Sequence, residues 1–137
     1  MARQFTVEEA NRTLPLVRRI VDDIVAQYRR WQDRVRELEI LNVGRSEANP
    51  VPRAEELELE IQRLASEIDG FERELTALGI RLSDHAEGLV DFPAVVNGRE
   101  VFLCWRAGEP SVQYWHDLEA GYAGRRPLPP HSGAAVP

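Results

Sequence analysis

The residues of this chain that could do chemistry lie mostly in its last third. Asp91, Glu109, His116, Glu119 and Arg125 fall in or beside the segments Gly88-Leu89-Val90-Asp91, Gly108-Glu109, Tyr114-Trp115-His116 and Gly124-Arg125. Imidazole and carboxylate groups ligate zinc and iron, and the same groups carry protons in acid–base catalysis. His116, Asp91 and Glu109 are therefore candidates for holding a divalent metal, and all five residues are candidates for a ligand site. Each also has an ordinary role open to it. Asp91 at a strand start could satisfy a turn or pair with Arg106. A carboxylate in a Gly-Glu-Pro turn is common, and Glu119 with Arg125 could form a plain salt bridge. The spacing matches no HExxH or CxxC pair, no nucleotide-binding glycine fingerprint and no Ser/His/Asp order. Cys104, the lone cysteine, reads as a packing thiol in mid-strand. Reactivity there would need Arg106, on the same strand face, to lower its pKa.

Composition narrows the field. A chain of 137 residues fits one domain. The net charge of −6 argues against a broad nucleic-acid surface, which needs clustered positive charge. All 17 basic residues are arginine, so lysine Schiff-base chemistry and a lysine-bearing phosphate loop are excluded. One cysteine cannot form an intrachain disulfide, which suits a reducing cytosol. No apolar run reaches membrane-spanning length and the first residues lack a hydrophobic signal core, so the expected location is cytoplasmic.

The elements that must position these residues follow from periodicity. Thr6-Val7-Glu8-Glu9 is a capping box. Pro15 predicts a short helix over 7–12 and a restart near Thr13. From Leu14 to Leu38 the apolar residues Leu14, Val17, Val21, Ile24, Tyr28, Trp31, Val35 and Leu38 keep a strict heptad seam. Asn42 to Pro52 reads as a loop. Leu57, Ile61, Leu64, Ile68, Phe71, Leu75 and Leu78 form a second seam, closed by Gly79. Two helices, 14–42 and 54–78, should fold back as an antiparallel hairpin. Ile20 and Val25 widen the stripe near its start, so the rest of the chain should dock there and the loop end should project.

After Gly79 the pattern turns to strands. Leu89–Val96, the turn Asn97-Gly98, Glu100–Arg106 and Ser111–His116 predict a three-stranded antiparallel meander, with Pro93 marking the first strand as an edge. A tight second turn pairs Arg106 with Ser111. That register puts Val90, Phe92, Ala94, Val101, Leu103, Trp105, Val112 and Tyr114 on the core face, with His116 at its margin. Asp91, Cys104, Arg106, Gln113, Phe102 and Trp115 then share the other face. It also sends Asp91 and Glu109 to one end of the sheet and His116 and Glu119 to the other. Glu109 and His116 are set roughly 20 Å apart along a straight strand. A slip of one residue would invert the faces.

Taken together, the fold class is α+β: a long, coiled-coil-like antiparallel hairpin with a small three-stranded meander packed at one end. The expected single domain spans 1–127, with the hairpin over 6–79, the meander over 88–117, a C-terminal segment over 118–127 and a disordered tail over 128–137.

Phe5-Thr6 with Glu9-Ala10-Asn11 and Leu14-Pro15, then Gly88-Leu89-Val90-Asp91-Phe92-Pro93-Ala94, Leu103-Cys104-Trp105, Gly108-Glu109, Tyr114-Trp115-His116, Gly121-Tyr122 and Gly124-Arg125 resemble the DUF2203 family of small bacterial and archaeal proteins. The resemblance spans about residues 4–128 and its C-terminal block is the specific part. It implies kinship without an activity. Two functions remain open. One is an interaction or scaffold protein acting as a homodimer through the hairpin or the sheet face. The alternative is a small metal- or ligand-binding enzyme, with a divalent metal as the candidate cofactor, using the Gly-Glu, Tyr-Trp-His and Gly-Arg segments. No membrane partner is expected, and the charge disfavours a nucleic-acid one.

Overall fold

The computed structural model describes residues 3–43, 46 and 51–129. Helix α1 runs from Val7 to Asn42 and helix α2 from Pro52 to Ala77. The predicted capping box is present: Thr6 Oγ1 accepts from the Glu9 N–H, and the Thr6 N–H donates to Glu9 Oε1, both at 3.0 Å. The two helices pack along their seams as a hairpin.

The expected break at Pro15 does not occur; α1 passes straight through it. An interior proline costs on the order of 3 kcal/mol. Breaking there would undock Val7 and Ala10, both buried, and release the adjoining Phe5. Each large apolar side chain is worth about 1.5–3 kcal/mol. The packed first turns outweigh one lost hydrogen bond, and Pro15 itself faces solvent.

The sheet has five strands, not three, in the order β1-β2-β3-β4-β5 and all antiparallel. They are β1 (Arg81–Asp84), β2 (Leu89–Val96), β3 (Arg99–Arg106), β4 (Tyr114–Asp117) and β5 (Arg126–Pro127). A short 3-10 turn, Tyr122–Gly124, precedes β5. Asn97 and Gly98 both have positive φ, as a two-residue hairpin turn of type I′ requires. The β2–β3 register is the expected one, with Val96 opposite Arg99 and Phe92 opposite Leu103.

Two expectations about the strands fail. First, β2 is not an edge, because β1 pairs with its first half. Pro93 lies beyond the end of β1, and its carbonyl accepts from the Phe5 N–H at 2.7 Å. A residue's N–H and C=O point to the same side of a strand, so the missing proline donor faces this open stretch. Second, β4 is shifted by one residue. Leu103 faces Trp115, and Cys104 faces Tyr114. Trp115 is therefore in the core, while Tyr114 and His116 lie on the outer face. The connection is no tight hairpin. The Trp105 indole donates to the Glu109 carbonyl, the Glu109 carboxylate accepts from the Arg106 N–H, and Val112 is buried. Asn11 of α1 holds Val112 in place: its Oδ1 accepts from the Val112 N–H at 2.7 Å, and its amide nitrogen reaches the Val112 carbonyl at 3.5 Å.

The main core joins the inner sheet face to α1 between Val7 and Ile24 and to Ile68 and Leu75 of α2. Ala54, Leu57 and Leu64 are buried outside this cluster, between the helices. The wide-striped end thus carries the sheet, and among the described residues the other end is hairpin alone. The turn leading into β2 comes close to α1 at Gly88, whose φ is +69°. A Cβ there would stand 2.8 Å from Ala107 and 2.9 Å from Val21. Most of the loop predicted over 42–52 and of the tail predicted over 128–137 lies outside the described residues, but Leu128 is described, and its N–H donates to the Gln113 carbonyl at 2.7 Å. Among the described residues no helix is long and apolar enough to cross a membrane.

Candidate functional site

The register of the sheet builds the site. One row across the outer face reads Arg81, Asp91, Cys104, Tyr114 and Pro127, from β1 to β5. The neighbouring row holds Pro93, Phe102 and His116. Asp91 and His116 stand on strands separated by β3, next-nearest strands about 10 Å apart. The small side chain at Cys104 leaves room for them to lean together above it. His116 Nε2 lies 2.9 Å from Asp91 Oδ1. The other carboxylate oxygen, Oδ2, accepts from Arg81 at 2.6 Å. Asp91, Cys104 and His116 are each 1% exposed. One ligand atom from each falls within 4.8 Å of the other two.

His116 is fixed at both nitrogens. Nδ1 faces the Asp117 backbone carbonyl at 2.7 Å. A carbonyl only accepts, so Nδ1 carries a hydrogen. Nε2 faces a carboxylate oxygen, so that contact holds a further proton between the two groups.

A second pair lies beside the first. Arg125 clasps Glu109 with two hydrogen bonds of 3.0 and 2.7 Å. It also lies over the Tyr114 ring at 3.9 Å and contacts the Tyr122 hydroxyl at 3.2 Å. Burial alone would lower the Arg125 pKa, but its hydrogen bonds and charge pairing with Glu109 outweigh that and raise it. The guanidinium also reaches the Cys104 sulfur and so links the two pairs. Burial pushes the Cys104 thiol up to about 11; the Asp91 carboxylate adds to the rise, and Arg125 opposes it. At neutral pH the buried Cys104 thiol therefore keeps its proton.

The sequence-derived candidates are thus redistributed. Asp91 and His116, expected at opposite ends of the sheet, are in contact. Glu109 and Arg125 join each other, not Glu119. Glu119 is exposed and takes no part in the cluster. Asp91 pairs with Arg81 and His116 and not with Arg106, which instead binds Glu87. Arg81 was not a candidate, because a four-residue strand with one arginine gives no signal until its partner is known. Cys104 was read as a packing thiol, reactive only if Arg106 lowered its pKa; its place in the Asp91 row follows from the Asn97-Gly98 turn, but its contact with Arg125 depends on β5.

Two cavities stand out among the described residues. The larger, about 540 Å³, is bordered by Val7, Asn11, Val112, Tyr114 and Leu128. It has no carboxylate, imidazole, thiol or guanidinium in its lining. The smaller, about 210 Å³, is bordered by Tyr28, Trp31, Glu72 and His85, where His85 stacks on Tyr28 and bonds Glu72 at 2.8 Å.

Residues 3–128 match the family model DUF2203, described as an uncharacterized conserved protein. The chain belongs to that family. No curated protein and no solved structure matches it.

Proposed function

We propose that this DUF2203 protein is a binding protein for a small polar ligand, working through the outer face of its sheet with the helical hairpin as support. The observation that carries this reading is the burial of Asp91, Cys104 and His116 side by side on the sheet face turned away from the helices. Stability alone is a poor reason for such a cluster. Buried ion pairs contribute about as much as well-packed apolar residues of the same volume, or less. Arg81 and Tyr122, both partly exposed, form the margin across which a ligand would enter. The lone cysteine fits a reducing compartment, and we place the protein in the cytoplasm on that ground.

The test is a titration of isotope-labelled protein with a panel of small anions, metabolites and divalent cations, followed by NMR. The expected shifts centre on Arg81, Cys104, His116 and Tyr122. Shifts confined to the hairpin, or none with any member of the panel, would refute the reading.

Homodimerisation has its own supporting observation. Ile40, Val43 and Leu59 are exposed apolar residues on the hairpin. Light scattering should give twice the chain mass; a monodisperse monomer at micromolar concentration removes the dimer and leaves the sheet site untouched.

A further inference from the structure

We infer that Asp91, Cys104 and His116 form a site for a soft divalent cation of the zinc type, bound through one carboxylate oxygen, one sulfur and one imidazole nitrogen. This rests on the outer sheet face being the ligand surface, and it names the ligand.

The arrangement of partners points to a cation. Metal-binding histidines commonly donate their other ring N–H to a backbone carbonyl or carboxylate, which fixes the tautomer and the ring plane. His116 does this through Nδ1 and the Asp117 carbonyl, leaving Nε2 aimed into the cluster. Asp91 is divided in the same way. Arg81 holds Oδ2, and Oδ1 turns toward His116. The third group is sulfur. A set of one sulfur, one nitrogen and one oxygen suits zinc or cobalt, whereas magnesium and calcium prefer oxygen alone. All three side chains are buried, so water competes weakly for the position.

The geometry is close to what an ion needs. Ligand bonds of about 2.0–2.3 Å in a tetrahedral site set donor atoms roughly 3.4–3.6 Å apart. The Nε2···Oδ1 contact of 2.9 Å must therefore open by about half an ångström, and donor atoms as far as 4.8 Å apart must draw together by up to about 1.2 Å. The ion takes the place of the proton held in that contact. The Cys104 thiol gives up its own proton and binds as thiolate. Two protons leave for each ion bound, and no electron changes hands. Three protein ligands leave the fourth position for water or a further ligand, the pattern of zinc sites that do chemistry. Arg81, over the Phe102 ring at 4.3 Å, borders the cluster on its solvent side.

The experiment uses the full chain, stripped with a chelator and titrated with Co²⁺ and then Zn²⁺. One equivalent of Co²⁺ should bind with a thiolate-to-cobalt charge-transfer band that Zn²⁺ bleaches. Cys104→Ser should abolish the band and weaken Zn²⁺ binding by at least roughly 10–100-fold, the loss known even for outer-shell partners. Glu87→Gln should leave both intact. A wild-type titration without the band, or Zn²⁺ affinity unchanged in Cys104→Ser, overturns the inference. Should Cys104→Ser fail to fold, NMR of the wild-type imidazoles decides. Zn²⁺ must shift Nε2 of His116, and a shift at another histidine alone overturns the site. If no cation binds while a small anion or metabolite shifts Arg81 and Tyr122, the cation site is wrong and the ligand surface stands. If nothing shifts these residues, both fall.

Discussion

Exposed and buried pairs of polar side chains can be set side by side in this molecule. Along the hairpin, Arg34–Glu60 and Arg53–Glu37 join α1 to α2 at 2.8 and 3.2 Å, with every side chain partly exposed. On the outer sheet face, Arg125–Glu109 at 2.7 Å is 15% and 17% exposed, and His116–Asp91 at 2.9 Å is 1% and 2% exposed. Distance hardly separates the two settings, but water does. Solvent screens the hairpin pairs, so each contributes little. The sheet pairs are desolvated and share neighbours, so the loss of one group leaves another charge or hydrogen uncompensated.

Asp91→Ala gives the largest effect expected from this contrast. It strips Arg81 and His116 of their common partner, and breaking a buried pair costs about 3–5 kcal/mol. Urea denaturation of metal-free protein measures it; a loss no greater than that at a hairpin pair would erase the distinction between the two regions. Arg125→Leu comes next. It leaves the Glu109 carboxylate without its charged partner, though the Arg106 N–H still donates to it, for a cost of about 1–3 kcal/mol. The same denaturation series checks it, with Glu109→Gln as the smaller partner effect.

Cys104 gives a pH-dependent test of the same burial. Its thiol ionises near 9.0 when unfolded and near 11 when folded. The unfolded chain therefore loses this proton first as pH rises, and stability is lost between about 9 and 11. The urea midpoint should fall more steeply over that range for the wild type than for Cys104→Ala. Parallel curves would mean the thiol is not desolvated. Arg34→Met is the smallest case. It removes a half-exposed hairpin pair and should leave the thermal midpoint close to wild type, and the remaining difference should vanish at high salt.

The hairpin was legible because its cause is local. Heptad spacing from Leu14 to Leu38 and from Leu57 to Leu78 needs no distant partner to be read. The β2–β3 register was legible for the same reason, through Asn97-Gly98. Pro15 misled because the force that keeps α1 whole is tertiary, supplied by Phe5, Val7 and Ala10 against the rest of the core. The site was half legible. Asp91, Glu109, His116 and Arg125 were candidates by type, but their pairing depends on β1, β5 and the β4 register. Arg81–Asp84 and Arg126–Pro127 are too short to show a period, and the β4 register is set from outside the connection that leads to it.

That outside hold is the contact of Asn11 with Val112, 101 positions apart in the chain. Its consequence is one of timing. Closing so long a stretch costs entropy that only a docked α1 can offset. Until the helix is seated, β4 has little to choose between two alignments. In one, Trp115 is inside and His116 outside; the other reverses them. The order of assembly should then be helix onto β2 and β3, next the asparagine clamp, and last the meeting of His116 with Asp91.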